Sequence, residues 1–264
     1  MPEGDTIYRT AQTLSGVLVG RTVTGFRSPL PPVAREASFR GVVGSQVIAV
    51  ESVGKHLVIR FSGGAMLRTH MRMHGSWHVY RPGSPWQRPA QTARVVLETG
   101  EAVAVCFSAP DVELTRDQPV ERHDRLGSLG PDLLGATLDE AEALRRLQRR
   151  GGTEIGNALL DQTVMAGVGN VYKSEVLFLC RVNPWRRVAE LDETALGQLI
   201  HTAARLLRQN LRTNERRTTS FGVPGALWVY DRAARPCRQC GTLIQRCRQG
   251  ELGRVTYWCA SCQQ

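Results

Sequence analysis

Asp161-Gln162-Thr163-Val164-Met165-Ala166-Gly167-Val168-Gly169-Asn170-Val171-Tyr172 sets two glycines and an asparagine between two helical segments. The apolar spacing predicts helices near 138–149, 153–161, 169–180 and 192–213, so this turn lies inside a helical half of the chain. The first N–H groups of a helix lack intrahelical partners, and the helix N-terminus favours anions. Such a turn is ready to hold a phosphate oxygen, with Asn170 adding a side-chain donor. An ordinary helix–helix turn capped by Asn170 satisfies the same pattern, so its meaning depends on the rest of the chain.

Upstream the periodicity changes. Ile7, Ala11, Leu14 and Leu18 recur at helical spacing, with Asp5 placed to cap the first turn. From Arg21 to Phe107 short alternating runs follow: 22–26, 46–53, 56–61, 65–69, 77–81, 93–98 and 102–107. Gly63-Gly64 and Thr99-Gly100 supply turns between neighbouring runs, which predicts an antiparallel sandwich or barrel. After Pro110 the strand signal stops, and residues 113–135 form a polar connector containing Gly127, Gly130 and Pro131.

Lysine and arginine outnumber aspartate and glutamate by 34 to 24, a formal charge of +10 that favours a polyanionic partner, nucleic acid first. No stretch approaches the roughly 20 apolar residues of a membrane span. The start, Met1-Pro2-Glu3-Gly4-Asp5, lacks the basic end and apolar run of a secretory signal, so a soluble cytoplasmic protein is expected.

Five of the seven cysteines crowd the last 28 residues. Cys237-x2-Cys240, 18 intervening residues, and Cys259-x2-Cys262 have the spacing that wraps tetrahedral zinc. Four thiolates close the coordination sphere, so one structural Zn2+ is expected, with Cys247 a bystander. Between the pairs, 242–249 and 253–258 suggest a hairpin turning at Gly250–Gly253, on which Arg246, Arg248 and Arg254 could meet phosphates.

Proline at position 2 permits removal of Met1, which would expose a secondary amine. A free α-amino group titrates near about 7.7–8.0 in model peptides, so a neutral fraction exists at neutral pH. Attack of that amine on an aldehyde-level carbon gives a cationic iminium, an electron sink for Schiff-base catalysis. Glu3 follows directly and could pass a proton to a sugar oxygen and take one back. Taken alone, Pro2-Glu3 is an ordinary start for a helix.

Pro2-Glu3-Gly4, Gly54-Lys55-His56-Leu57, the Met165–Glu175 segment and the four-cysteine tail together resemble the formamidopyrimidine-DNA glycosylase and endonuclease VIII family. The resemblance runs the length of the chain, with four separated motifs in order. It implies an α+β protein: an N-terminal helix with a β-sandwich (1–112), a connector (113–135), a helix-two-turn-helix domain (136–215), and a loop with a four-cysteine zinc finger (216–264). Damaged double-stranded DNA would lie between two lobes of a monomer, in a nucleoid-associated bacterial enzyme. By the same resemblance Pro2 is the nucleophile at C1′ and Glu3 the general acid. Lys55 contacts phosphate and assists β-elimination. Asn170 and Arg254 grip phosphates flanking the lesion, and Arg254 is linked to δ-elimination.

The family flips the damaged nucleotide out and fills the gap with side chains. Here the matching loop is His70-Met71-Arg72-Met73-His74-Gly75, with Met73 as wedge and Arg72 and His74 beside it. Arg125 matches a DNA-contacting arginine of the connector. Gly4, Gly156, the short stretch from Thr219 to Tyr230, and Ser108–Leu114 without an arginine or phenylalanine look like the endonuclease VIII branch, which removes oxidised pyrimidines. The wedge loop departs from the enterobacterial pattern of that branch. Three alternatives stay open: a structure-specific DNA-binding protein without catalysis, an 8-oxoguanine- or formamidopyrimidine-directed enzyme, and an abasic-site lyase alone.

Overall fold

The computed structural model describes residues 2–213 and 215–264. One compact unit comprises Pro2 and Thr6–Gly127, and the other Glu3–Asp5 and Ser128–Gln264.

The first unit is a β-sandwich. Helix α1 (Gly4–Leu18) turns Ile7, Ala11, Leu14 and Leu18 into its core, as their spacing predicts. One antiparallel sheet has the order β2 (Val47–Val53), β3 (His56–Phe61), β4 (Ala65–His70), β8 (Asp111–Arg116). The other runs β1 (Gly25–Arg27), β6 (Ala93–Glu98), β7 (Val103–Phe107), β5 (Ser76–Tyr80). Leu57, Ile59, Leu67, Val95, Leu97 and Ala104 from both sheets join α1 in one apolar cluster.

Two elements depart from the sequence expectation. Helix α2 (Pro31–Phe39) interrupts the strand-rich region, started by prolines in its first turn and held by buried Val33 and Ala37. Strand β8 continues the sheet where the strand signal had been expected to stop. Its alternation is masked by acids: Glu113 faces Arg68 across the β4–β8 ladder, and Asp111 lies diagonally beside it.

That acid pair explains a polar spot in the sheet. Arg68 is fully buried and donates to Glu113 Oε2 at 2.9 Å and Asp111 Oδ1 at 2.8 Å, with His56 Nδ1 at 3.1 Å. Burial, then the charges of His70 and Arg68, push the His56 imidazole down to about 3. Burial and the charge of Lys55 bring His70 down to about 4. Burial alone would raise Asp111, but its bond to Arg68 outweighs that and holds the carboxyl below its ordinary range.

The second unit is helical. Its core gathers α3 (Glu140–Gln148), the short α4 (Ile155–Ala158), α5 (Asn170–Leu179) and α6 (Glu193–Gln209) around Leu147, Leu159, Tyr172, Leu177, Leu199 and Leu206. Helix α6 stops at Gln209, short of the expected 213. Buried Glu175 on α5 accepts the N–H groups of Trp228, Val229 and Tyr230 at 2.8–2.9 Å, and the Thr218 hydroxyl. Burial pushes its carboxyl up. Strands β9 (Gln245–Gln249) and β10 (Arg254–Trp258) form the expected hairpin, packed through Tyr257 and Ile244 with Phe178 and Trp228.

Replacing Arg68 strands two acids in the sandwich, so Arg68→Met should cost about 3 kcal/mol in urea unfolding. Both histidines bind protons more weakly when folded than at their ordinary 6.5. Their contribution is complete above that value and is lost as pH falls from 6.5 through about 4 and on to about 3. The urea midpoint should therefore fall across this window, and His56→Gln should fall less steeply.

Candidate active site and nucleic-acid interface

The amino-terminal residues of the second unit are fastened to the glycine turn. Gly4 N donates to Gly167 O at 3.0 Å, and a methyl group on Gly4 would come within 3.1 Å of Gly167 Cα. Glu3 is fully buried. Its Oε2 accepts from Gly169 N at 2.8 Å and Tyr172 N at 3.3 Å, and its Oε1 from Val171 N at 2.8 Å. These are the unpaired donors at the start of α5. The sequence offered them to a phosphate, but the structure gives them to Glu3. Gly169 is required here because its missing side chain leaves the space that the Glu3 carboxyl occupies. Gly169, rather than Asn170, is the capping position, and Asn170 is the first helical residue.

Asp5 does not cap α1 from outside; it lies within the helix and is fully buried. Arg216 meets it in a two-pronged pair, Nη2–Oδ1 2.7 Å and Nε–Oδ2 3.0 Å. The same guanidinium lies 4.8 Å from the centre of the Tyr172 ring, and its Nη1 is 4.0 Å from Glu3 Oε1. Burial works against the Arg216 charge, yet Glu3 and Asp5 hold its proton more firmly than usual. Nothing in the sequence singled out Arg216 among the arginines that follow α6.

Asn170 points inward: its Nδ2 donates to Val255 O at 2.6 Å, and its Oδ1 is buried without a hydrogen-bond partner among the described residues. One N–H of the amide is thus committed to strand β10. Arg254, at the start of that strand, is exposed. Between these two sits Lys173, which the sequence did not flag. It is fully buried, and burial pushes its amine down to about 7, against the opposing charge of Glu3.

In the first unit, Lys55 occupies the two-residue turn joining β2 to β3, where Gly54 takes a φ of 58°. Pro2 and Lys55 are half-buried. The loop 71–75 sorts its methionines: Met71 is buried in the core, whereas Met73 stands 52% exposed between exposed Arg72 and His74. Gly75 closes the loop, since a Cβ there would lie 2.7 Å from Met71 O. Arg125 pairs with Asp111 Oδ2 at 3.2 Å, so β8 holds the connector arginine.

The Sγ atoms of Cys237, Cys240, Cys259 and Cys262 all lie within 4.8 Å of one another, with Cys240–Cys259 at 3.4 Å and Cys237–Cys262 at 3.9 Å. Thiolates on a tetrahedral zinc stand about 3.8 Å apart, given Zn–S bonds of about 2.3 Å. The donor set fits a metal ion of that kind. Cys247 is exposed on β9, away from the four.

Residues 1–111 match the formamidopyrimidine-DNA glycosylase N-terminal domain, and residues 129–221 match the formamidopyrimidine-DNA glycosylase H2TH domain. The Streptomyces coelicolor protein named "Probable endonuclease 8 2" is 42% identical over all of this chain and 94% of its own length. The DNA-(apurinic or apyrimidinic site) lyase Nei2 of Mycolicibacterium smegmatis is 39% identical over 100% of this chain and 99% of its own. In fold, the chain is similar to Lactococcus lactis Fpg in complex with abasic-site DNA, with a TM-score of 0.84, 21% identity and 99% of each chain covered. A shared architecture and full-length relatives at this identity place the chain in one group: it belongs to the formamidopyrimidine-DNA glycosylase and endonuclease VIII family.

Proposed function

We propose that this protein is a bifunctional DNA glycosylase and abasic-site lyase of base excision repair, acting as a cytoplasmic monomer on oxidised pyrimidines in duplex DNA. The observation that carries the reading is the grip of Gly169, Val171 and Tyr172 on Glu3. A carboxylate so fixed has one orientation, and Pro2 is joined to the backbone nitrogen of the same residue. The covalent chain thereby sets a nucleophilic amine beside an acid–base group, as catalysis through an iminium demands.

With Met1 removed, the neutral Pro2 amine attacks C1′ and the base departs with the electrons of its bond to C1′; the amine then loses its proton, Glu3 passes one to the sugar ring oxygen, and the C1′–O bond opens to leave an iminium between the Pro2 nitrogen and C1′. The iminium then draws electrons from the C2′–H bond as the proton leaves, and the 3′-phosphate is expelled. A second elimination releases the 5′-phosphate. Lys55 serves the first phosphate and the proton transfer. Arg254 and the second N–H of Asn170 hold the flanking phosphates. Met73, with Arg72 and His74, enters the stack vacated by the flipped nucleotide, and Arg125 meets the backbone once Asp111 yields it. Cys237, Cys240, Cys259 and Cys262 would hold one Zn2+, whose contribution is to fix the β9–β10 hairpin.

The preference for pyrimidines is supported by the kinship with proteins named endonuclease 8 and by Asp111 and Glu113, acids that pair with Arg68 where the other branch carries an arginine and a phenylalanine. A narrower role as an abasic-site lyase is favoured by one observation, the likeness to the Mycolicibacterium smegmatis protein named as such a lyase.

Borohydride should trap a covalent protein–DNA adduct on thymine-glycol and abasic duplexes, with an amino-terminal extension that keeps the Pro2 nitrogen in a peptide bond giving none. Absence of the wild-type adduct on both substrates would overturn the reading; an adduct on the abasic duplex alone selects the lyase. Glu3→Gln should lower base release by about 10²–10⁴-fold while leaving binding of an abasic analogue within a few-fold of wild type. A chelator strong enough to strip zinc should abolish duplex binding and expose the finger to protease, with both restored by added Zn2+.

A further inference from the structure

A lysine buried in the first turn of a helix is expensive three times over. Its charge is desolvated, it faces the positive end of the helix dipole, and here it also feels the charge of Arg254. An apolar side chain of the same length would fill the space without those costs. Lys173 therefore calls for an explanation other than packing.

The hydrogen bonds supply one. Lys173 Nζ donates to Thr256 Oγ1 at 2.7 Å, and also lies 3.5 Å from Val255 O. The Thr256 hydroxyl donates to Gln249 Oε1 at 2.7 Å. Gln249 Nε2 donates to Glu154 Oε2 at 3.0 Å and to Pro184 O at 2.8 Å. Every donor in this chain points the same way, from the amine through a hydroxyl and an amide to a carboxylate. It is an ion pair stretched over two relays, and Lys173, Thr256 and Gln249 are all at least 97% buried. Gly156 makes room for it, because any side chain at 156 would strike the Gln249 amide.

The relay ends where the phosphate-binding arginine begins. Gln249 pairs with Arg254 across the hairpin, and Thr256 shares a strand face with Arg254 two residues away. Asn170 holds the intervening carbonyl of Val255. We propose that Lys173 is a positioning residue that docks the root of the β9–β10 hairpin on α5 and so aims Arg254 at its phosphate. This rests on the assignment of Arg254 to phosphate contact made above. The charged groups facing the amine are Glu3 from the amino-terminal segment and Arg254 from β10, with Glu154 at the far end of the relay. On its own helix, Glu175 is turned to the Trp228–Tyr230 backbone. A phosphate bound at Arg254 adds negative charge nearby, so DNA binding draws a proton onto Lys173.

The test is affinity for a duplex carrying a tetrahydrofuran abasic analogue, measured for wild type, Lys173→Met, Thr256→Val, Arg254→Ala and the Lys173→Met/Arg254→Ala double variant. Lys173→Met should melt at the wild-type temperature or above it yet bind about tenfold more weakly. Thr256→Val should weaken binding in the same direction, and it carries the test should Lys173→Met fail to fold. The double variant should bind no more weakly than Arg254→Ala, because the lysine acts through the arginine. Wild-type affinity should fall as pH rises through about 7, and Lys173→Met should lose that slope. Wild-type affinity in Lys173→Met and Thr256→Val beside a weakened Arg254→Ala, or losses that simply add in the double variant, would overturn this inference alone. An unaffected Arg254→Ala would overturn the phosphate assignment beneath it.

Discussion

Three backbone N–H groups close on the Glu3 carboxylate, and much of the second unit is arranged so that they can. The start of a helix must leave these donors open, two glycines must bring the chain close, and the carboxyl must come from the far end of the sequence. Each buried N–H left unmet would cost about 1–3 kcal/mol, so the turn and the acid stabilise one another. The Gly169, Val171 and Tyr172 amides are taken up by the Glu3 carboxyl.

The sequence revealed most where a pattern repeats. Alternation located the sandwich strands, the spacing of Ile7, Ala11, Leu14 and Leu18 located α1, and the paired cysteines located a site whose sulfurs do converge. It failed where tertiary pairing overrides local preference. Asp111 and Glu113 read as lying past the last strand because their partner, Arg68, lies on another strand. Helix α2 was concealed by Pro31-Pro32, which looks like a break but starts a helix. Of the candidate residues, Asn170 was legible as part of a turn, but its inward bond to Val255 was not.

The contacts that escaped notice have one property in common: each buries an ionisable side chain against a partner distant in sequence. Asp5 and Arg216 are 211 residues apart, and Glu175 reaches the backbone of Tyr230 across 55. No periodicity encodes such pairs. A buried charge is tolerated only with its counterpart in place, so each fixes a long-range contact more sharply than apolar packing would.

The 166 residues between Glu3 and Gly169 have a consequence for how the protein comes into being. Glu3 leaves the ribosome well before the amides that capture it, which lie 166 to 169 residues further along the chain. At about 5–20 residues per second the wait is roughly 8–30 s. Through that interval Glu3 has no cradle. The contact spans more than half of the chain, so it forms late in folding. A truncated or stalled chain that ends before Gly169 therefore carries Glu3 without the amides that hold it.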